Sequence, residues 1–338
     1  MEKNLYIDAS HPNETRVVLK SNENIEDYEY EAKKSILIKN NIYLGKVSRV
    51  EPSLQAAFID FGRERHGFLS FNDIQSDYYQ IPLSDKEKIK EEEEARRLDL
   101  LKESEKKEEE NINDENFSKD ELFEKKQENT DEHNDLGVNN KKPFKKYKIQ
   151  EVIKPNQVIL VQVLKDERGL KGAALSTFIS IAGKYIVLMP NTPKGGGISR
   201  KIFNPADRKK IRLILNEIKI PKEMGLIVRT AGSNKTKNEI SYDLENLLKV
   251  WDSIKENAMN AIAPSLIHHE DDIIKRTLRD IYDDETKNII IEGNEGYLKA
   301  KNFMKIIMPK DVKKIKKYRD KIPLFFKEKI DQKLNDIF

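Results

Sequence analysis

The chain has 338 residues, 36% charged and 37% hydrophobic, and 62 Lys and Arg against 59 Asp and Glu leave a formal net charge of +3. That length suits two or three domains rather than one. Having no cysteine excludes a disulfide framework, a thiol nucleophile and a thiolate metal site, and fits a reducing, cytoplasmic setting; no apolar run approaches the roughly eighteen residues of a bilayer span.

Strands are predicted first at Leu5–Asp8 and Arg16–Leu19, about the turn-forming His11-Pro12-Asn13. Tyr28 and Tyr30 then alternate with Glu29 and Glu31, as on a half-buried strand. A second group begins at Ile42 with Tyr43–Val47. It continues through Glu51-Pro52-Ser53 into Ala56–Phe61, then Gly67–Leu69. Short strands separated by glycine-bearing turns predict a small barrel.

From about Ser84 the pattern collapses into like-charge runs such as Glu91–Glu94 and Glu108–Glu110. Apolar residues are too sparse there to bury a face, so disorder without tertiary contacts is predicted, with an exposed single helix over Glu91–Lys107 as the alternative. Asp85–Asp135 holds 21 acidic and 11 basic residues, so the rest of the chain carries a surplus of 13 positive charges. Such a surplus suits a polyanionic partner, and an ordinary lysine-rich surface as well. Beta patterning resumes at Gln157–Val163, so the tract reads as an insertion in a barrel; loop closure tolerates such lengthening.

Tyr185–Met189 is a strong apolar strand, Asn191–Gly197 a loop, Pro205–Ile218 a helix and Gly225–Val228 a further strand. Leu244, Leu247, Leu248, Trp251 and Ile254 recur at helical spacing and predict an amphipathic helix over Ile240–Ala263. Ile273–Ile281, Asn288–Ile291 and Tyr297–Ile307 then alternate helix, strand and helix, and Pro323–Phe338 is periodic and apolar.

Phe58 and Phe68 sit on neighbouring strand-like segments among Lys46, Arg49, Arg63, Arg65 and His66. Aromatics amid cations on a small barrel are stacking platforms for bases, or else they fill the barrel core. Phe61 is out of step with Phe58 and should face the other side. Arg229-Thr230, directly after a strand, offers a guanidinium fork beside a hydroxyl, a phosphomonoester pocket or a plain surface pair. Lys194–Ser199 lacks the Gly-Lys-Ser/Thr of a phosphate-binding Walker loop. His268-His269-Glu270 would point to opposite faces of a strand, so Asp271 and Asp272 are predicted to cap a helix rather than bind metal. Nothing in the pattern singles out Asp60, Asp280, Asp283 or Asp284 as magnesium ligands.

Several of these segments together resemble the ribonuclease E/G family: Ile42–Val47, Arg49–Asp60, Glu64–Leu69, Glu167–Leu175, Asn191-Thr192-Pro193 through Gly196–Arg200, and Met224–Gly232. The resemblance covers nearly everything outside the charged tract. It implies a multidomain α+β chain: an oligonucleotide-binding (OB-fold) barrel over 37–180, interrupted by the 84–145 insert; an α/β 5′-phosphate sensor over 181–272; and an α/β RNase H-like subdomain split between 1–36 and 273–338. It implies single-stranded RNA as partner, preferably 5′-monophosphorylated, in RNA decay and ribosomal or transfer RNA maturation. Phe58 and Phe68 match the family's stacking aromatics, Lys171 and Arg200 match further RNA-contacting cations, and Gly183, Val187, Arg229 and Thr230 match its 5′-phosphate pocket.

The family cuts RNA with two magnesium-holding aspartates, the first in an Ile-Asp-Ile-Asn motif of a deoxyribonuclease-like domain, and links protomers through a cysteine-held zinc. This sequence has neither that motif nor any cysteine, and Phe338 matches the boundary before that domain. The expectation is therefore a chain that binds RNA, holds no magnesium or zinc of its own and fails to cleave unaided. Within that expectation it is an inactive RNA-binding fragment, a remnant, or half of a split enzyme completed by a separately encoded catalytic half.

Overall fold

The computed structural model describes residues 3–22, 24–32, 38–89, 91–92, 95, 147–167, 171–192, 196–218, 220–221, 223–270 and 272–337. In chain order the elements are β1 (Lys3–Asp8), β2 (Glu14–Ser21), β3 (Asn24–Ala32), β4 (Ile42–Glu51), β5 (Ala56–Asp60), β6 (Gly67–Ser70), α1 (Ile149–Val152), β7 (Val158–Lys165), β8 (Ala174–Ser176), β9 (Ile181–Ala182), β10 (Ile186–Met189) and β11 (Gly196–Ile198). There follow α2 (Pro205–Glu217), β12 (Gly225–Val228), α3 (Lys237–Asn260), β13 (Ser265–His268), α4 (Ile273–Asp280), β14 (Thr286–Glu292), α5 (Asn294–Ile307), β15 (Ile315–Lys317), α6 (Leu324–Lys327) and α7 (Ile330–Ile337). They build a multidomain α+β architecture around three sheets.

The first sheet, ordered β15-β14-β1-β2-β3, unites the two ends of the chain. β1 runs parallel to β14, with Leu5 beside Ile289 and Ile7 beside Ile291. Because side chains alternate along a strand, Leu5 and Ile7 pack with α4 and α5 residues such as Leu278 and Met304, while Tyr6 and Val18 meet Leu324, Phe325, Ile330 and Leu334 on the other face. Burial on both faces explains the near-continuous apolar run of β1. Arg16 ties α7 to the sheet through Asp8 at 2.7 Å and Asp331 at 3.0 Å.

β4-β5-β6-β8-β7 close on themselves through a β4–β7 pairing, forming a five-stranded barrel of the OB-fold-like kind. Its interior holds Val47, Ile59, Phe61, Leu69, Val161, Val163 and Leu175. β13, which periodicity leaves unmarked, adds to the outer part of β4. Residues 83–89 are helical, and Tyr147 donates to Asp85 at 2.5 Å, bringing the described flanks of the charged tract together. The start of the predicted 84–145 insert thus departs from the disorder expected of it, because Asp85 and Lys86 find partners in Tyr147 and the Asp77 carbonyl, while 90, 93–94 and 96–145 lie outside the described residues.

The third sheet, ordered β11-β12-β10-β9, packs Ile186, Leu188, Leu226 and Val228 against α2 and α3. Asn204 caps α2, accepting from the Ala206 N–H at 3.0 Å. α3 starts earlier than predicted, because Thr236 and Glu239 form a capping box, and it stops at Asn260 rather than Ala263, since Pro264 disfavours helical backbone before it. Gly196 and Gly197, read as loop, pair with Leu226 and Ile227; Pro193–Gly195 lie outside the described residues.

Candidate nucleic-acid interface

β5 and β6 are antiparallel, and their register sets Phe58 directly opposite Phe68. The rings meet edge to face at a centroid distance of 6.0 Å, a favourable arrangement for two aromatic quadrupoles. The Arg49 guanidinium lies 4.3 Å from the Phe58 ring centroid, and Phe68 is 36% exposed. Phe61 points the other way into the barrel, buried against Tyr43 at 5.1 Å. The parity argument thus separates a surface pair from a core ring.

Lys46, Arg63, Arg65, His66 and Lys171 are exposed around this face. Gly172 brings Lys171 close: a Cβ there would lie 2.1 Å from the His66 carbonyl oxygen, so only glycine lets the chain pass. The Phe68 N–H donates to the Ala173 carbonyl at 2.8 Å, fixing that approach. Arg168–Leu170, of the same motif, lie outside the described residues. A half-exposed aromatic pair ringed by cations can stack flat bases and attract phosphates without reading sequence.

A second group forms at one end of the third sheet. β11 and β12 are parallel and finish together, with Ile198 beside Val228, so Arg200 and Arg229-Thr230 leave the sheet at the same end. β10 is antiparallel to β12 and enters there, with Ile186 opposite Val228 and the half-buried Val187 opposite Ile227. The turn before it carries Gly183, Lys184 and Tyr185, and the Arg229 N–H donates to the Tyr185 carbonyl at 2.8 Å. Arg229 Nη1 donates to the Gly183 carbonyl at 2.8 Å and pairs with Asp280 at 2.6 Å. Thr230 is exposed at the start of a 3-10 turn, and Arg200 is exposed after β11. No described contact joins this group to the Phe58–Phe68 pair.

Two residues that shape this end escaped the sequence reading. Asp243 on α3, buried, accepts from the N–H groups of Lys184, Tyr185 and Ile186 at 3.3, 2.8 and 3.2 Å. Burial pushes its carboxyl up despite those three donors. An aspartate in the apolar stripe Ile240-Asp243-Leu244-Leu247 was the available signal. Lys184, 4% exposed, donates to the carbonyls of Leu278, in the last turn of α4, and of Tyr282, just past it, and burial lowers its ammonium to about 8. A cavity of about 310 Å³ lies behind, lined by Gly183, Asp243, Gln162, Glu270 and Arg279.

Asp272 caps α4, accepting from the Lys275 N–H at 3.1 Å; Asp271 lies outside the described residues. No cluster of three His, Cys, Asp or Glu suited to a metal occurs among the described residues. Asp60 accepts from the Gly62 N–H, Asp283 pairs with Lys3 and Asp284 with Lys235, so the carboxylates considered for magnesium face different partners. No helix among the described residues is long and apolar enough to cross a membrane.

Residues 180–338 match the model of the ribonuclease E/G family. The chain is 34% identical over 336 residues to ribonuclease E of Haemophilus influenzae, covering 99% of this chain and 30% of that protein. It is 35% identical over 337 residues to ribonuclease E of Buchnera aphidicola subsp. Acyrthosiphon pisum, covering 99% and 31%. With ribonuclease E of Escherichia coli K12 it shares 34% identity over 337 residues, covering 99% and 26%. The chain thus spans about a third or less of the length of these relatives.

Proposed function

The chain belongs to the ribonuclease E/G family, and on that premise we propose that it is the RNA-binding part of an RNA-processing and RNA-decay endoribonuclease. Single-stranded RNA lies across the barrel, its bases stacking on Phe68 and Phe58 and its phosphates attracted by Lys171 and the neighbouring cations. A 5′-monophosphorylated end enters the group of Gly183, Val187, Arg229 and Thr230, with Arg200 near its path. The third sheet is then the 5′ sensor, the sheet uniting both chain ends the RNase H-like subdomain, and the setting cytoplasmic.

The observation that carries the reading is the Phe58–Phe68 pair: two rings held in register across adjacent strands, one covered by a guanidinium, on the outside of a closed barrel. Core packing does not require a ring there, because Phe61 and its neighbours fill the interior.

The family's magnesium does not fit the carboxylates described. Asp60, Asp280, Asp283 and Asp284 are each taken by a protein donor and do not converge, so no scission step is assigned to them. On this reading the residues described bind RNA and are assigned no cutting of their own.

The test is binding of a 5′-monophosphorylated single-stranded oligonucleotide, its 5′-hydroxyl twin and a duplex of the same sequence. Tightest binding to the monophosphorylated strand, with no products after incubation in magnesium, is the expected result. Equal affinity for duplex and single strand sinks the barrel reading, and equal affinity for the two ends sinks the sensor. Cleavage that survives repurification sinks the non-cutting assignment.

A further inference from the structure

Arg229 does not stand alone at the end of its strand. Its Nη1 donates to the Gly183 carbonyl and pairs with Asp280 Oδ1 at 2.6 Å. Asp280 is the last residue of α4, an element packed on the sheet that unites the chain ends. Every contact described for this guanidinium runs through Nη1. Nε and Nη2 form its opposite, side-on edge, the edge whose two parallel N–H groups match two oxygens of a phosphate.

A carboxylate at that spot has two opposing effects. It fixes the arginine, and it sets a negative charge close to an incoming phosphate. Arg279 decides between them. Its Nη2 lies 3.0 Å from Asp280 Oδ2, and its Nη1 is 2.7 Å from Glu270 Oε1. Arg229, Arg279, Asp280 and Glu270 therefore sum to no net charge, so the repulsion expected of a lone carboxylate is compensated at short range. Burial opposes the charge on Asp280, but the hydrogen bond and charge of Arg279, followed by those of Arg229, outweigh it and hold the carboxyl below its ordinary range. Asp280 is thus a charged acceptor at neutral pH.

We infer that Asp280 is a positioning residue of the 5′-phosphate pocket: together with the Gly183 carbonyl it clamps Nη1 of Arg229 and so presents the side-on edge to a 5′-monophosphate. Holding the fork in advance removes the ordering cost that a free arginine would bear on binding. Selection of the RNA end then depends on a residue of a helix packed on another sheet, one that touches no RNA. This inference rests on the phosphate-pocket reading above.

The experiment measures the affinity of the full chain for one oligonucleotide carrying a 5′-monophosphate or a 5′-hydroxyl. Asp280→Asn keeps the shape and removes the charge. We expect it to weaken monophosphate binding by about three- to tenfold while hydroxyl binding stays unchanged, and Arg229→Ala to abolish the preference. Asp280→Glu, which keeps the charge but moves the carboxylate by a methylene, gives the same selective loss and serves if the asparagine variant fails to fold. A preference surviving Arg229→Ala sinks the pocket itself. A preference lost in Arg229→Ala but intact in the folded Asp280 variants overturns this inference alone. Equal losses for both ends, marking a structural role, overturn it too, as does tighter monophosphate binding, marking Asp280 as a competitor.

Discussion

Gly183 and Asp243 approach so closely that a Cβ on the glycine would lie 2.6 Å from the aspartate Oδ2. That closeness lets one buried carboxylate collect three successive main-chain N–H groups, two from the turn before β10 and one from its first residue, Ile186. The same turn supplies the carbonyl that holds Arg229. An α3 side chain therefore sets the backbone of the proposed phosphate pocket.

Gly183→Ala should force the Asp243 carboxylate off its donors and leave buried polar groups poorly paired. We expect a loss of about 1–3 kcal/mol in urea unfolding, together with a reduced preference for 5′-monophosphorylated RNA. Unchanged stability with the alanine present would mean that the turn shifts freely.

The two phenylalanine roles separate cleanly in the laboratory. Phe68→Ala should weaken binding of single-stranded RNA by about 1–3 kcal/mol, for many sequences alike, with little change in thermal stability. Phe61→Ala, which empties the barrel core, should cost about 3–5 kcal/mol of stability instead. Unfolding of the Phe68 variant would move that ring into the core.

Lys184 gives a pH signature. Its folded value of about 8 lies below the ordinary 10.5, so between these pH values the unfolded chain binds the extra proton and stability rises with pH. Below about pH 8 both states are protonated and the burial penalty is present in full. Measured as wild type minus Lys184→Met, which cancels other titrations, the difference should grow by up to about 3 kcal/mol from pH 8 to pH 10.5. A flat difference would show that the ammonium reaches solvent.

Asp8 gives the opposite signature in acid. Its burial favours the neutral form, but Ser10 and Arg16 outweigh this and lower its carboxyl below the ordinary 3.8. Its contribution is complete above that value and is lost as pH falls through the folded one. Arg16→Ala removes the pairs to Asp8 and Asp331 and the contact with the Phe325 ring. We expect about 1–3 kcal/mol lost at pH 7 and less below pH 3, by denaturant unfolding at each pH.

Leu5–Asp8, Tyr185–Met189 and the stripe Leu244-Leu247-Ile254 could be placed from the chain alone, because strand and helix periods are written in apolar residues whose burial drives folding. The opposite facing of Phe58 and Phe61 follows from the same parity. β13 carries too short a pattern to register, and only its pairing with β4 makes it a strand. The start of α3 is set by the Thr236–Glu239 capping box, which lies before the apolar stripe and so leaves no mark in its period.

By itself the sequence determined most of the longer elements, the barrel, the opposite facing of Phe58 and Phe61 and the positive surplus outside the acidic tract, since each depends on residue type at short spacing. Tertiary structure alone decided that Arg229 meets Asp280 and Gly183, that Asp243 holds the turn, and that Lys184 is buried against the end of α4. Those contacts join side chains distant along the chain. No local period encodes them, because partners are chosen by which sheets and helices pack together.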